Sequence, residues 1–485
     1  MPDNQDQEPI IQDDATIFPF ETTGDPQQKL TIDELYDHAG FKLLSFNTTA
    51  AAGVGLFMFG TLIMYVQLIC QYMLCKEEMT EVEVVAVKII VILGLIMGLP
   101  LSGVISDKIG RTKAALAGAY VVFICWLLSA ISVTLLFATM LCVGGGFAFL
   151  LPSSIIFAFE NSSLHQHTRV ALIVFGEYIL GQVYCLVLFS TLIELIGWHL
   201  VTVILVFPVI LLLTFFHMTS GSPRFLSISG RHSTAYEHLL MLHKKNSVPM
   251  MQGRLKSQEI EGRGKCCGPC NMLNLRTTIL LFVLFFALSF CYYSTSYGVF
   301  RSLVEYGICE SDKIIEVLTC ENIDGKSYLV TSLLALVPDL LGLLFALFIS
   351  EAAGKKVSMS ILAAVAGAAV LANSVCIQPA ALTLIELGLV RGFTFGALVI
   401  VIIYALEVYT TDKRCTSFAY LLIFYSLGML IAGTFTFELR QSASLIFIVL
   451  GVVLFLSLIP ILFLDSVGKR DVDENLDEQQ SLTTS

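Results

Sequence analysis

Charge is what this sequence has least of. Asp, Glu, Lys and Arg together make up 14% of its 485 residues, against 56% hydrophobic residues and a mean hydropathy of +0.81. That balance excludes a soluble globular domain, in which about a quarter of the residues are charged. No basic stripe is present to meet phosphates, which excludes a nucleic-acid partner. No Gly-rich loop ending in Lys-Ser or Lys-Thr occurs, so nucleotide hydrolysis has no seat in the chain. Residues 1–43 lack the basic start and apolar core of a cleaved signal, and the first apolar run is expected to direct insertion. Neither an enzyme nor a bound metal or cofactor is expected.

The formal net charge of −11 belongs to the ends of the chain. Residues 1–43 hold ten acids against Lys29 and Lys42, residues 465–485 hold six against Lys469 and Arg470, and the body between them is close to neutral. Tails so polar and so poor in aromatic residues are expected to be solvated and disordered.

What is present in quantity is long apolar runs. Windows of about 20 residues, the length that crosses ~30 Å of hydrocarbon as a helix, fall at 44–68, 84–106, 113–135, 137–159, 170–193 and 199–218, and again at 277–299, 328–350, 357–377, 381–404, 415–437 and 443–464. Twelve spans put both tails on one side of a lipid bilayer. The loops on that side hold most of the basic residues, among them Lys108, Arg111, Lys113, Lys355, Lys356, Lys413 and Arg414, whereas the opposite loops hold only Lys76, Arg301, Lys313, Lys326 and Arg440. The positive-inside bias therefore predicts cytosolic tails. The chain divides into an acidic N-terminal tail (1–43), a six-helix bundle (44–218), a cytosolic linker with short helices (219–276), a second six-helix bundle (277–465) and an acidic C-terminal tail (466–485). In the linker, Thr234-x-x-Glu237 is expected to cap a helix. The juxtamembrane thiols Cys266, Cys267 and Cys270 suit reversible acylation better than zinc, which needs four ligands.

The hinge between the second and third windows reads Gly103-x3-Asp107-Lys108-x-Gly110-Arg111. A glycine among charges that hydrocarbon does not tolerate marks a short interfacial loop. The loop recurs as Glu351-x2-Gly354-Lys355-Lys356, and a second pair of landmarks follows each copy, Glu160 with Arg169 and Glu407 with Arg414. Each landmark and its counterpart are about 245 residues apart, which reads as two halves in parallel register.

The hinge pattern of residues 103–111 resembles the loop between the second and third helices of the major facilitator superfamily. Tyr404-Ala405-Leu406-Glu407-Val408-Tyr409 with Thr411 and Arg414, Ser222-Pro223-Arg224-Phe225-Leu226, Gly197-Trp198, and Phe290-Cys291-Tyr292-Tyr293 look like the synaptic vesicle 2-related proteins, which stand with the organic cation and anion transporters in that superfamily. The resemblance covers roughly residues 30–470. It implies an all-α polytopic membrane protein, twelve transmembrane helices in two six-helix bundles around a central cavity. It implies a monomer in the plasma membrane or an intracellular vesicle membrane. The expected activity is secondary active or facilitative transport of a small organic ion by alternating access, with protons or another ion as coupling partner. Two departures define the alternative, a transporter-like protein that binds a ligand or protein partner without moving it. The arginine of the family's fourth helix falls at Leu141, and no acid occurs between Val54 and Val66 in the first span.

An ionisable side chain near the bilayer midplane persists only if it pairs or faces water. Glu177, Asp339 and Arg391 are such residues, Arg391 matching the family's arginine in the tenth helix. The resemblance sets spans five and eight opposite each other, so Glu177 and Asp339 are both expected to look into the cavity, where two acids favour a cation or a zwitterion. Tyr292 and Tyr293, with Phe290 and Tyr297, add rings whose faces suit organic cations. The competing structural role for Arg391 is to pair with a buried acid and hold its bundle together. At the inner helix ends, Gly103, Asp107, Gly110, Arg111, Glu160 and Arg169, with Glu351, Gly354, Lys355, Glu407 and Arg414, are expected to form a cytosolic gate. Glu160 would pair with Arg111 and Arg169, and Glu407 with Lys355, Lys356 and Arg414.

Overall fold

A long apolar run in lipid becomes helix because only helix satisfies every backbone group within the run. The structure, a computed structural model, describes residues 22–23, 29–76, 78–219, 221–251, 254–255, 275–296, 326–374, 380–438 and 443–465. Among these residues, eleven helical runs are long and apolar enough to cross a membrane, and one of them, the 65 residues Leu164–Ile228, holds two of the expected spans. The turn between those two is Gly197, whose φ of 75° breaks the helix His167–Leu205 from within. The spans are one, Leu43–Cys75; two, Glu81–Ile109; three, Arg111–Ser129; four, Val133–Glu160; and five and six, His167–Leu205 bent at Gly197 and continued by Pro208–Met218. Seven is Leu275–Ser294; eight, Lys326–Ala353; nine, Lys355–Asn373; ten, Ala380–Val408; eleven, Arg414–Glu438; and twelve, Ala443–Phe463.

The two charged hinges turn on their glycines. Gly110 between spans two and three has φ 105°, and Gly354 between spans eight and nine has φ 86°, both in the region that L side chains resist. Elsewhere the chain uses side-chain caps: Thr80 and Glu83 close a capping box at the start of span two, and Ser132 accepts from the Leu135 N–H at the start of span four.

In the first half, span one packs on five, two on four, and three on four and six. In the second, seven packs on eleven, eight on ten, and nine on ten and twelve, the same pairing six spans later. The bundles meet along two seams, span two on eleven and span five on eight. Lipid supplies no hydrophobic drive between helices, so small residues decide where backbones close in. A Cβ on Gly342 would lie 2.0 Å from the Gly392 carbonyl oxygen, and one on Gly392 would lie 2.2 Å from that of Pro338. Spans eight and ten are thus near enough for a short aspartate on one to reach an arginine on the other.

The end of the acidic tail departs from its expectation. Residues 32, 35, 36 and 39 form an apolar stripe at helical spacing, and the helix Ile32–Ala39, begun by a capping box between Thr31 and Glu34, buries it against Leu239, Leu242 and Met250 of the linker. Composition hid this helix because the ten acids of residues 1–43 dominate the average. Two parallel two-residue pairings, Thr22–Thr23 with Met250–Met251 and Lys29–Leu30 with Arg254–Leu255, join the same segments. Asp33 pairs with Arg224 at 2.6 Å. Burial pushes the Tyr36 phenol above its ordinary range, so it stays a neutral donor to Asn161 Oδ1 at 3.4 Å. The linker helix is His232–Asn246; it starts two residues before Thr234 and has no side-chain cap. Cys266, Cys267 and Cys270 lie outside the described residues. The face that carries these two short helices is the inner face below.

Candidate substrate site and inter-bundle latch

Asp339 of span eight is fully buried, and Arg391 of span ten is 6% exposed. Arg391 Nε donates to Asp339 Oδ1 and Nη2 to Oδ2, both at 2.8 Å. This two-pronged geometry is among the stronger ion-pair arrangements. The Tyr292 hydroxyl of span seven donates to Asp339 Oδ2 at 3.0 Å, and the Arg391 guanidinium carbon lies 5.6 Å from the Tyr292 ring centroid. From the other bundle, Gln182 of span five, 2% exposed, accepts from Arg391 Nη2 through Oε1 at 3.5 Å. Its amide nitrogen is buried without a hydrogen-bond partner among the described residues. Tyr178 of span five stacks on Phe395 of span ten at 5.7 Å, so the bundles also meet ring to ring here. Tyr293 bonds the Tyr425 hydroxyl of span eleven at 2.6 Å.

Glu177 is not brought to Asp339. Its head lies against span one, where a Cβ on Gly53 would stand 2.6 Å from Oε2, and that oxygen is buried without a hydrogen-bond partner among the described residues. The angular position of Glu177 on span five, 100° per residue from its neighbours, sets it in the seam with span one rather than across from span eight. Leu141 is 40% exposed on the outside of its bundle. An arginine there would meet lipid, so leucine at this position removes no cavity charge. Tyr297 lies outside the described residues.

The inner ends of the helices carry a second constellation. Arg111, 1% exposed, donates through Nη2 to the Thr411 carbonyl oxygen of the other bundle and pairs with Glu160 at 3.2 Å and Asp107 at 3.3 Å. Asp107 accepts from the Thr416 N–H and Oγ1, each at 2.7 Å, and from the Cys415 N–H at 3.3 Å. It therefore caps span eleven from across the interface, where the positive end of a helix favours an anion. Gly103 admits the approach: a Cβ there would lie 2.8 Å from Thr416 Cα. Fully buried Glu160 also meets Arg414 of the other bundle at 3.6 Å and accepts from Ser222 Oγ at 2.5 Å. A Cβ on Gly110 would stand 2.9 Å from the Phe225 ring, whose face lies 4.6 Å from the Arg111 guanidinium carbon.

The second copy of the hinge is used differently. Glu407 pairs with Lys355, and its other partner is His167 Nδ1 of the first bundle at 3.1 Å. Arg414 goes to Glu160 and to the Tyr409 carbonyl oxygen at 3.1 Å, and Lys356 to the carbonyls of Leu462 and Leu464. Arg169, Glu351 and Gly354 are exposed and do not join the cluster. Two residues along a helix turn a side chain by about 200°, so with His167 facing the seam Arg169 faces away. The helix start that Glu351 would cap by symmetry, that of span five, follows the 3-10 turn Leu164–Gln166 and directs His167 to the interface. Sequence reasoning missed Gln182, His167, Ser222 and Thr416. Gln182 carried a signal, being the sole amide side chain in the 170–193 window.

Comparison with known proteins agrees with this architecture. The Major Facilitator Superfamily profile matches residues 48–308, more than half of the chain. A synaptic vesicle 2-related protein of Pongo abelii is 23% identical over 415 residues, covering 84% of this chain and 75% of the relative. The putative transporter SVOPL of Danio rerio is 23% identical over 430 residues, covering 86% and 84%. Among solved structures, the proton:xylose symporter XylE bound to 6-bromo-6-deoxy-D-glucose superimposes with a TM-score of 0.63 at 14% identity, over 87% of this chain and 96% of XylE. With twelve spans among the described residues in two pseudo-repeated bundles, hinge glycines between spans two and three and between eight and nine, and these relatives, the chain is an integral membrane protein of the major facilitator superfamily, similar within it to the synaptic vesicle 2-related proteins.

Proposed function

We propose that this protein is a secondary transporter, active or facilitative, that carries a small organic ion, a cation or a zwitterion, by alternating access. The observation that carries the reading is the distribution of polar contacts between the bundles. They gather at the inner ends, where Asp107 holds span eleven, Arg111 the Thr411 carbonyl, Glu160 Arg414, and His167 Glu407, while the centre holds a buried ion pair completed from the opposite bundle by Gln182. Among the described residues the outer side shows one weak tie, Gln67 Nε2 to the Ser296 carbonyl oxygen at 3.5 Å; a cluster that concentrates the ties at the inner end acts as a latch, and each tie broken there favours the opposite tilt.

Asp339, Arg391, Tyr292 and Tyr293 line the substrate site in this reading. Glu177, a carboxyl with an orphaned oxygen and no charged partner among the described residues, is the coupling residue, because an ionisable side chain without a structural partner inside a transmembrane helix marks an ion pathway. That XylE, of the same fold, is a proton:xylose symporter supports a proton as coupling ion. The inner face is the cytosolic one. Purified protein in liposomes, screened with labelled organic ions with and without a pH gradient, tests the proposal. Accumulation above protein-free liposomes is expected; binding of a labelled ion without accumulation under any gradient refutes transport.

A further inference from the structure

We propose that the ligand is a zwitterion, its carboxylate held between Arg391 and Gln182 and its cationic group taking the place of Arg391 at Asp339; the inference rests on the transporter reading above and narrows it. The Asp339–Arg391 pair leaves the centre without net charge. An organic cation that took Asp339 would strand Arg391 buried and unpaired, and an organic anion that took Arg391 would strand Asp339. Either result carries the penalty of an uncompensated buried charge. A zwitterion avoids both, because one ion pair is exchanged for two and the total charge of the site is unchanged.

Gln182 supplies an independent pointer to the carboxylate end. It is 2% exposed, its Oε1 already faces the Arg391 guanidinium at 3.5 Å, and its Nε2 is a buried donor that makes no hydrogen bond among the described residues. A buried donor left unsatisfied costs free energy that a ligand oxygen recovers. An oxygen bound to Arg391 beside Gln182 meets that donor. Because Gln182 belongs to span five and Arg391 to span ten, the ligand carboxylate bridges the two bundles. On the cationic side, the Tyr292 hydroxyl already donates to Asp339 and its ring already faces a cation, so an ammonium replaces the guanidinium in a place built for positive charge.

The test uses the full-length protein in liposomes and a panel of probes of matched chain length: ω-amino acids and betaines, the corresponding amines, the corresponding carboxylates, and polyols. Thermal stabilisation reports binding, and tracer accumulation reports transport. Stabilisation by members of the zwitterion set, and not by the amines or carboxylates, is expected. Gln182→Leu should weaken the responding zwitterion by about tenfold or more, the effect of losing a hydrogen bond to a charged group. Gln182→Asn, which keeps the amide, serves as the folding control. Gln182→Glu should shift the preference toward the amine of the same chain, because a carboxylate beside Arg391 now occupies the ligand carboxylate's place. A response confined to amines, carboxylates or polyols, no response to any zwitterion, or an unchanged zwitterion affinity in folded Gln182→Leu overturns the proposal. Accumulation of an amine or polyol without a zwitterion response refutes the ion-pair exchange and leaves the transporter reading standing. Zwitterion stabilisation without accumulation of any probe refutes transport and leaves the exchange.

Discussion

Replacing Asp107 by Asn tests the latch with the least change of shape. One carboxylate receives three hydrogen bonds from the first turn of span eleven, two of them at 2.7 Å on the same oxygen. Asn keeps one acceptor and sets an N–H against donors in place of the other. Hydrogen bonds to a charged group contribute ~1.5–3 kcal/mol and neutral ones ~0.5–1.5 kcal/mol, and an anion at a helix N-terminus adds ~0.3–1 kcal/mol. The combined loss is about 2–3 kcal/mol. It applies only while the inner face is closed, because these bonds cross between the bundles. A change of that size shifts a two-state equilibrium roughly 30- to 150-fold toward the open inner face. Cys415 is a native reporter, since its thiol is fully buried on the same seam. In inside-out vesicles treated with a membrane-impermeant maleimide, modification of Cys415, followed by mass spectrometry, should accelerate about 30-fold or more in Asp107→Asn. An unchanged rate at Cys415 in folded Asp107→Asn refutes the latch.

Three further outcomes are expected. Arg391→Gln should destabilise the protein by ~3–5 kcal/mol by stranding Asp339, and the double change with Asp339→Asn should recover most of the loss; calorimetry showing additive losses would contradict the pairing. In Gly53→Ala the new Cβ, 2.6 Å from Glu177 Oε2, must displace the carboxyl, so the pH dependence of uptake should move, whereas Glu177→Gln should flatten it; a wild-type pH profile in both variants removes Glu177 from coupling. Tags at either terminus should survive protease added outside intact cells, and their cleavage would invert the assigned topology.

Much of this architecture was legible in the sequence because hydrocarbon acts on each residue singly. The penalty for a charge in lipid and the length a helix needs to cross are properties of short windows, so span number, the two halves and the hinge glycines Gly110 and Gly354 appear without any knowledge of neighbours. The same penalty singled out Glu177, Asp339 and Arg391 as exceptions. It did not say which partner each would find. Asp339 meets Arg391 because Gly342 and Gly392 let spans eight and ten close to backbone contact, while Glu177, on a differently rotated helix, turns to Gly53. The two hinge copies look equivalent in one dimension, yet Asp107 caps a helix of the other bundle and Glu351 faces outward. Arg414 of the other bundle takes the place at Glu160 expected for Arg169, and His167, through its angular position on span five, meets Glu407. Rotation about the helix axis and the distance between axes are set jointly by all the packed neighbours, and on those two quantities depends which polar group of one bundle meets which of the other.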